Sequence, residues 1–279
     1  MELVIGIVQA DFNGTPLENS EKTFRIVTSK HKEAELVILP EYSMLNPLKF
    51  NTPEEVYAYS EVIERSTFLD KIKRLAETLS IHIIANIIEK TDKPPLSRNT
   101  SVLVKNDGEV VPLYSKIHLF DALGYRESKY FLPGDAPSKF LNIRNFRISV
   151  AVCYDLRFPE LFRFYALNGA DAVFVQAGWV KGLLKEEVLD KLSSVRAHEN
   201  TMYLVLADQV GDFFVGRSGV FNPLGYRELD MGVIEDYREF TLELDKVKMA
   251  RERLPVINQS KKRWEVRMKE LHENHSSVE

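Results

Sequence analysis

The stretch ISVAVCYDLRFPE, residues 148–160, decides the fold class of this chain. Its apolar run Ile148–Val152 predicts a buried strand, and the spacing of the apolar residues that follow predicts a helix over 157–168 and another strand over 171–176. A strand, a helix and a strand in this order indicate an α/β fold built in layers. Cys153, the only cysteine of the 279 residues, stands where the first of these strands ends.

The first third of the chain also alternates strands and helices. Thr52-Pro53-Glu54-Glu55 has the pattern of a capping box with proline at the first helical position, so it predicts a helix start. Helical spacing continues from there to Leu79, with a break near Ser66-Thr67. The other elements predicted here are the strands Leu3–Gln9, Glu35–Leu39 and Ile81–Ile88 and the helix Glu18–Lys30.

Two hairpins and a long loop occupy the middle of the chain. The turns Asn106-Asp107-Gly108 and Arg144-Asn145 are each flanked by strand-like runs, which predicts the hairpins. The irregular stretch 115–135 lies between them, and loops of that length inside a compact domain are usually functional. Further predictions are a helix over 185–198, a strand over 202–208, a strand pair over 213–216 and 218–221, a strand over 239–244 and a final helix capped by Asp245.

Composition bounds the possible functions. A net charge of -4 offers no basic surface for nucleic acid or an anionic membrane. A single cysteine cannot form an internal disulfide, and the start MELVIGIVQA resembles neither a signal peptide nor a membrane span, so we expect a cytoplasmic protein. We predict one domain, 1–258, and a charged tail, 259–279, with helical spacing at Trp264 and Met268. The tail is either a solvated helix or an arm on a partner subunit.

Motifs for cofactors and metals are weak or missing in the sequence. It has neither a phosphate-binding Walker loop nor a dinucleotide glycine fingerprint, so we predict no cofactor. His272 and His275 in the polar tail lack a third ligand, so we predict no metal site.

Three polar residues follow predicted strands: Glu41, Lys116 and Cys153. Loops at strand ends bring distant segments together, and we expect these three to meet if their strands are neighbours. An ammonium favours a thiolate and stabilises an oxyanion, and a buried carboxylate can take the thiol proton. Such a trio suits acyl transfer from an amide or nitrile carbon. From placement alone, a core cysteine, a turn glutamate and a surface lysine remain alternatives.

Three motifs in this sequence resemble the signatures of the nitrilase superfamily of carbon–nitrogen hydrolases. They occur in that family's order: Pro40-Glu41-Tyr42, YSKIHLF at 114–120 and CYDLRFPE at 153–160. The resemblance extends to FLPGD at 131–135, RAHEN at 196–200 and NPLG at 222–225. It covers roughly residues 3 to 257, and the set is far more specific than any single motif.

The resemblance implies a role for each residue of the trio. Glu41 would be the general base, Lys116 the oxyanion stabiliser and Cys153 the nucleophile on a tight turn between strand and helix. It also implies a second glutamate, and Glu127 matches that position, where it would orient Lys116 and the substrate. An exposed loop carboxylate is the alternative for Glu127.

The resemblance also implies the walls of the pocket. The backbone N–H of Tyr154 would complete the oxyanion hole, and Tyr42 and Trp179 would bind substrate, with core packing as the alternative for Trp179. Leu189 stands where the most similar branch has a tryptophan that borders the pocket, and the segment 182–194 is unusually charged.

Residues of the cysteine motif have structural readings as well. Asp155 would fix the nucleophile turn. Arg157 is predicted to pair with Glu160, and binding of a substrate carboxylate is the alternative.

CYDLRFPE and KIHLFD are most similar to the Nit-type branch, which includes ω-amidases that release ammonia from the terminal amide of dicarboxylic acid monoamides. Tyr154 follows the cysteine where true nitrilases usually carry tryptophan, which favours amides over nitriles. Carbamoyl amino acid or ureido hydrolysis and nitrile hydrolysis are alternatives within the superfamily. An amide-forming acyltransferase and a non-catalytic binding protein are alternatives of another class.

The fold implied by the resemblance is an α/β four-layer α-β-β-α sandwich with two mixed β-sheets face to face. Family members commonly form dimers, so we expect a homodimer or higher homo-oligomer that acts on a small-molecule amide.

Overall fold

Two six-stranded sheets carry the fold within residues 1–267, the part of the chain that the computed structural model describes. The strands are β1 (Glu2–Gln9), β2 (Leu36–Ile38), β3 (His82–Lys90), β4 (Ser97–Val104), β5 (Val110–Ser115), β6 (Asp121–Ala122), β7 (Tyr125–Arg126), β8 (Leu141–Ile143), β9 (Phe146–Val152), β10 (Ala172–Ala177), β11 (Tyr203–Asp208), β12 (Gly219–Phe221), β13 (Arg227–Asp230) and β14 (Asp236–Glu243). The helices are α1 (Pro16–Lys30), α2 (Pro53–Tyr59), α3 (Thr67–Leu79), α4 (Pro159–Leu167), α5 (Lys185–Asn200), α6 (Leu244–Arg253) and α7 (Val256–Lys261).

Both sheets are mixed. The first has the strand order β14-β1-β2-β3-β4-β5 and the second β13-β12-β11-β10-β9-β8, while β6 and β7 form a separate small hairpin. In each sheet three strands run parallel, β1 to β3 in the first and β9 to β11 in the second. Parallel neighbours need crossover connections, and helices α1 to α5 supply them.

Alternating burial along the strands explains why the sheets stack. Ile5 and Ile7 of β1 belong to the apolar core shared with the second sheet, whereas Val8 packs into the core that contains Phe68 and Ile72 of α3. Successive side chains of a strand point to opposite faces, so a strand that is apolar on both faces must be covered on both. The predicted α/β four-layer α-β-β-α sandwich is confirmed.

Most predicted strands and helices are present, with local differences. The predicted strand over 213–216 is wrong: Phe214 and Val215 form only isolated bridges. Gly216 and Arg217 both have positive φ angles, 77° and 59°, and turn the chain before β12, which pairs with β11 and with the unpredicted β13. The helix predicted from residue 157 begins at Pro159, because residues 153–157 form a 3₁₀ turn.

The end of the described chain also differs from expectation. Helix α6 begins at Leu244 with Glu243 as its N-cap, so Asp245 is not the cap; it lies in the first turn and binds the N-terminal ammonium of Met1. Helix α7 crosses the domain boundary predicted at 258, and the described residues 264–267 are not helical. Met268 and the histidines at 272 and 275 lie outside the described residues, and the domain division stays a prediction.

Across residues 1–267, none of the helices has the length and apolar character that crossing a lipid bilayer requires.

Candidate active site

One cavity is lined by Glu41, Lys116 and Cys153. From the sequence we expected these residues to meet if their strands were neighbours, but the strands are not neighbours. Glu41 follows β2 and Lys116 follows β5, with β3 and β4 between them, and Cys153 follows β9 in the other sheet. The residues meet because the two sheets face each other, so loops from both reach the same end of the sandwich.

Lys116 lies between two carboxylates. Its Nζ is 2.9 Å from Glu41 Oε1 and 2.8 Å from Glu127 Oε2, and the exposed fractions of the three side chains are 2%, 0% and 0% in that order. Burial alone would lower the pKa of Lys116, but the charges of Glu127 and Glu41 outweigh it and raise the pKa well above its ordinary value. The two carboxylates therefore favour the charged form of Lys116.

Glu41 is fixed from several directions. Its Oε1 also accepts a hydrogen bond from Asn99 Nδ2 at 2.8 Å, and its Oε2 accepts one from the Gly178 N–H at 2.9 Å. Gln176 and Gln209, both from the second sheet, donate to the backbone oxygens of Leu39 and Glu41 at 2.7 and 2.8 Å. These bonds leave the carboxylate little freedom to rotate.

The pKa of Glu41 is raised. Burial raises it, Lys116 lowers it and the charge of Glu127 raises it again. A carboxyl group whose pKa moves upward toward neutrality can both take and return a proton, as a general base and acid must.

Glu127 is a buried residue of the loop, so the alternative of an exposed carboxylate is wrong. Besides Lys116, its carboxylate accepts hydrogen bonds from the Tyr42 hydroxyl at 2.8 Å and from the Phe120 N–H at 2.6 Å. Tyr42 lines the cavity with its hydroxyl committed to Glu127. The Glu127 carboxylate thus holds the Lys116 ammonium in place.

Cys153 has a φ angle of +46°, in the left-handed region that non-glycine residues rarely adopt. Asp155 stabilises this turn: its Oδ2 accepts hydrogen bonds from the Val152 N–H at 2.9 Å and the Tyr114 hydroxyl at 2.7 Å, and its Oδ1 lies 2.7 Å from His118 Nδ1. Such backbone strain costs of order 1–3 kcal/mol and concentrates at functional sites. The turn places the sulfur at the cavity.

The surroundings of Cys153 favour its neutral thiol over the thiolate. Burial and the charge of Glu41 raise its pKa well above the ordinary value, and the opposing effect of Lys116 is smaller. The sequence-based expectation that the ammonium would favour the thiolate therefore describes a minor contribution. A base must remove the proton when the thiol reacts, and Glu41 lies beside it.

A cationic and aromatic wall completes the cavity: Tyr154, Arg157, Trp179 and Lys185 line it. The Arg157 guanidinium lies 4.7 Å from the Trp179 ring, and the Trp179 indole N–H donates to the Lys185 backbone oxygen at 3.0 Å. The predicted pair between Arg157 and Glu160 is wrong, because Arg157 turns to the cavity and makes no salt bridge with any residue in the described range.

The structure shows what stands at the two positions, 189 and 179, where the sequence analysis considered an aromatic wall. Leu189 is 1% exposed, belongs to the hydrophobic core and does not line the cavity. Trp179 is 3% exposed and does line it. Trp179 therefore supplies an aromatic wall of the cavity, and Leu189 does not contribute to it.

Sequence reasoning missed several residues of the site, among them Asn99, Gly178, Gln209 and Lys185. Asn99 and Gln209 look like ordinary residues of a strand and a loop, and no local pattern marks them. Gly178 directly follows β10, so the strand-end rule that found Cys153 would also have found it. A side chain there would bring its Cβ to 3.0 Å from the Phe214 ring and 3.1 Å from the Tyr42 ring.

Within residues 1–267, no three histidine, cysteine, aspartate or glutamate side chains are grouped to hold a metal ion.

Comparisons with known proteins identify the family of this chain. The profile of the family described as carbon-nitrogen hydrolase matches residues 5–228. Omega-amidase NIT3 of Saccharomyces cerevisiae is 30% identical over 239 residues, which are 74% of this chain and 78% of that protein. Deaminated glutathione amidase of Escherichia coli is 33% identical, but the match covers 54% of this chain and 58% of that protein.

A solved structure shares the fold. The crystal structure of Nit3 from Saccharomyces cerevisiae, described as a member of branch 10 of the nitrilase superfamily, superposes with a TM-score of 0.82 at 23% identity and covers 94% of this chain and 97% of that one. With the profile match over most of its length, this chain belongs to the carbon–nitrogen hydrolases of the nitrilase superfamily and to their Nit-like branch.

Proposed function

We propose that the protein hydrolyses a small carboxamide to ammonia and a carboxylic acid through a thioester on Cys153. The observation that carries the proposal is the meeting of three buried side chains, Glu41, Lys116 and Cys153, at one cavity, with the Lys116 ammonium 2.9 Å from the Glu41 carboxylate. Each of the three is unsuited to burial alone, and together they match the steps of acyl transfer.

In the first half of the reaction Glu41 takes the Cys153 proton and the sulfur attacks the amide carbon. The carbonyl oxygen becomes an oxyanion, which Lys116 and the Tyr154 backbone N–H stabilise. When the C–N bond breaks, the leaving nitrogen receives the proton from Glu41 and departs as ammonia. The acyl group remains on the sulfur as a thioester.

In the second half Glu41 takes a proton from water, whose oxygen attacks the thioester. The C–S bond breaks, the sulfur takes from Glu41 the proton that came from water, and the carboxylic acid leaves. Glu127 contributes by orienting Lys116 in both halves, since its carboxylate bonds to the ammonium.

Arg157 is proposed to bind the carboxylate of the substrate, which was the alternative to its pairing with Glu160. Its guanidinium faces the cavity with no carboxylate partner among the described residues, so a substrate carboxylate can supply one. The name of the yeast relative, an omega-amidase, supports the same choice. We therefore propose an ω-amide of a dicarboxylic acid as the substrate class.

We also propose that the enzyme works in the cytoplasm as a homodimer or higher homo-oligomer, and that it needs no cofactor. The lone, free Cys153 supports a reducing compartment. Light scattering on the purified protein measures its mass, and a mass of 32.1 kDa, that of one chain, would contradict the oligomer.

An ammonia-release screen tests the function. The wild-type protein is offered ω-amides, carbamoyl compounds, aliphatic amides and nitriles, and we expect the ω-amides to be hydrolysed fastest. Rapid acid quenching followed by peptide mass spectrometry should find the acyl group on the peptide that contains Cys153. Hydrolysis without any acyl adduct on that peptide, or release of ammonia from nitriles only, would overturn the proposal.

A further inference from the structure

Lys185 is the charged residue lining the cavity that neither the family motifs nor the catalytic cycle accounts for. It is the first residue of α5 and comes from the charged segment where this chain departs from the related branch. Its Nζ lies 5.5 Å from the Phe120 ring and 5.9 Å from the Trp179 ring. The ammonium therefore stands between two walls of the cavity, with its stem partly buried.

Lys185 shares one wall with a second cation. Trp179 is flanked by Lys185 and by Arg157, and neither cation has a carboxylate within salt-bridge distance in the described part of the chain. By contrast, Lys191 on the same helix is paired with Glu187. Two cations held close together without a counterion repel each other, so the free cavity is poised to take an anion.

The charges that line the cavity determine how many negative charges a bound ligand must carry to neutralise it. With both carboxylates ionised, three cations face two anions: Lys116, Arg157 and Lys185 against Glu41 and Glu127. The two carboxylates are already occupied by Lys116 and their other donors. One positive charge is left over, and one carboxylate neutralises it.

We propose that Lys185 is a specificity-determining residue that, together with Arg157, binds the single carboxylate of an ω-amide substrate. The inference rests on the proposed function and adds a second anchor to it. The pKa of Lys185 is lowered by its partial burial and by the neighbouring charge of Arg157, as expected for a cation that lacks its counterion. A bound carboxylate would relieve both effects.

Matched substrates test the proposal. Succinamate and glutaramate carry the carboxylate, and butanamide and pentanamide have the same chain lengths without it. For Lys185→Met we expect the preference for the acidic member of each pair, measured as the ratio of kcat/KM values, to fall about tenfold or more, mainly through a higher KM. Lys185→Arg should restore most of the preference, because it keeps the charge.

Lys181→Met is the matched control. Lys181 is exposed on the same connection, does not line the cavity, and its removal changes the net charge equally. An unchanged preference in Lys185→Met, or an equal loss in both variants, would overturn the role of Lys185. So would failure of Lys185→Arg to restore the preference when its thermal midpoint equals that of the wild type.

The same assay keeps the two proposals apart. If the wild type released no ammonia from any of the four amides, the proposed function itself would fail. If it preferred the acidic amides and Lys185→Met did so equally, only the second anchor would fail.

Discussion

The two sheets have the same order of strand directions and supply different chemistry. Counted from β14 in the first sheet and from β8 in the second, the neighbouring pairs run antiparallel, parallel, parallel, antiparallel and antiparallel. The first sheet supplies a carboxylate and an ammonium that are paired with each other, Glu41 and Lys116. The second supplies the nucleophile Cys153 and the backbone N–H of Gly178, and its connections supply the unpaired cations Arg157 and Lys185.

This difference shows that neither sheet holds a complete site. The charged groups of the first sheet neutralise each other whether or not substrate is present, and they cannot form a covalent bond to it under this geometry. The second sheet carries the nucleophile, whereas Glu41, the base proposed to take its proton, follows a strand of the first sheet. Catalysis becomes possible only where the two faces meet, which makes the sheet-to-sheet contact itself a functional feature.

The largest loss of activity is expected when the Cys153 side chain of the second sheet is removed. Cys153→Ala should reduce kcat for ammonia release by at least about a thousandfold, because no other group can form the thioester. Its thermal midpoint should stay near that of the wild type. Cys153→Gly should be equally inactive and at least as stable as Cys153→Ala, since glycine adopts the φ angle of +46° without strain. Substantial turnover by Cys153→Ala would show that the first sheet suffices.

The next effect is on the first sheet. Lys116→Met should lower kcat by at least about a hundredfold, because the oxyanion loses its cation. It should also lower the free energy of unfolding by about 3–5 kcal/mol, since the buried Glu41 and Glu127 lose their counterion. Steady-state rates and urea unfolding measure the two effects. Lys129→Met, an exposed change in the same loop, should alter neither by much; a similar loss there would point to general damage of the loop.

A smaller effect is expected where the sheets touch. Gly178→Ala would place a methyl group 3.4 Å from Glu41 Oε2 and closer still to two aromatic rings, so the Gly178 N–H must shift away from the carboxylate. We expect kcat to fall about tenfold, as for a weakened hydrogen bond to a charged group, with secondary structure unchanged by circular dichroism. Full activity in this variant would mean that the bond across the sheets does not matter for the reaction.

The smallest effect is expected in the pH dependence of kcat/KM. The base form of Glu41 is lost as the pH falls through a pKa that lies above the ordinary 4.5, so the acid limb of kcat/KM should lie above pH 4.5. Asn99→Ala removes a hydrogen bond that favours the charged carboxylate, which should move the limb to still higher pH. Initial rates between about pH 4 and 9 measure both, and a limb at or below 4.5 in the wild type would contradict the raised pKa.

The sequence predicted the parts of the site that sit in short motifs. Cys153 and Glu41 each follow an apolar run, and that local pattern is visible without a structure. It could not show that β2 and β5 are separated by two strands, because strand order depends on pairing between distant segments. The direction of the Cys153 pKa shift was also hidden, since it depends on burial and on a carboxylate from the opposite sheet.

Arg157 shows the same limit of prediction from sequence. The sequence predicted that Arg157 pairs with Glu160 in a helix over 157–168. The helix begins only at Pro159, and Arg157 lies in the preceding 3₁₀ turn with its guanidinium against the Trp179 ring. Two residues of difference in a helix start changed the inferred role of the side chain from structural to substrate-binding.

The bonds from Gln176, Gly178 and Gln209 to residues 39–41 have a mechanical consequence. They tie the end of the segment after β2 to the sheet that carries Cys153. Asn99 and Lys116 hold the same Glu41 carboxylate from the first sheet, so the base is bonded to both halves of the sandwich. A relative shift of the two sheets would therefore have to stretch hydrogen bonds to the base itself, which couples the geometry of proton transfer to the packing of the sheets.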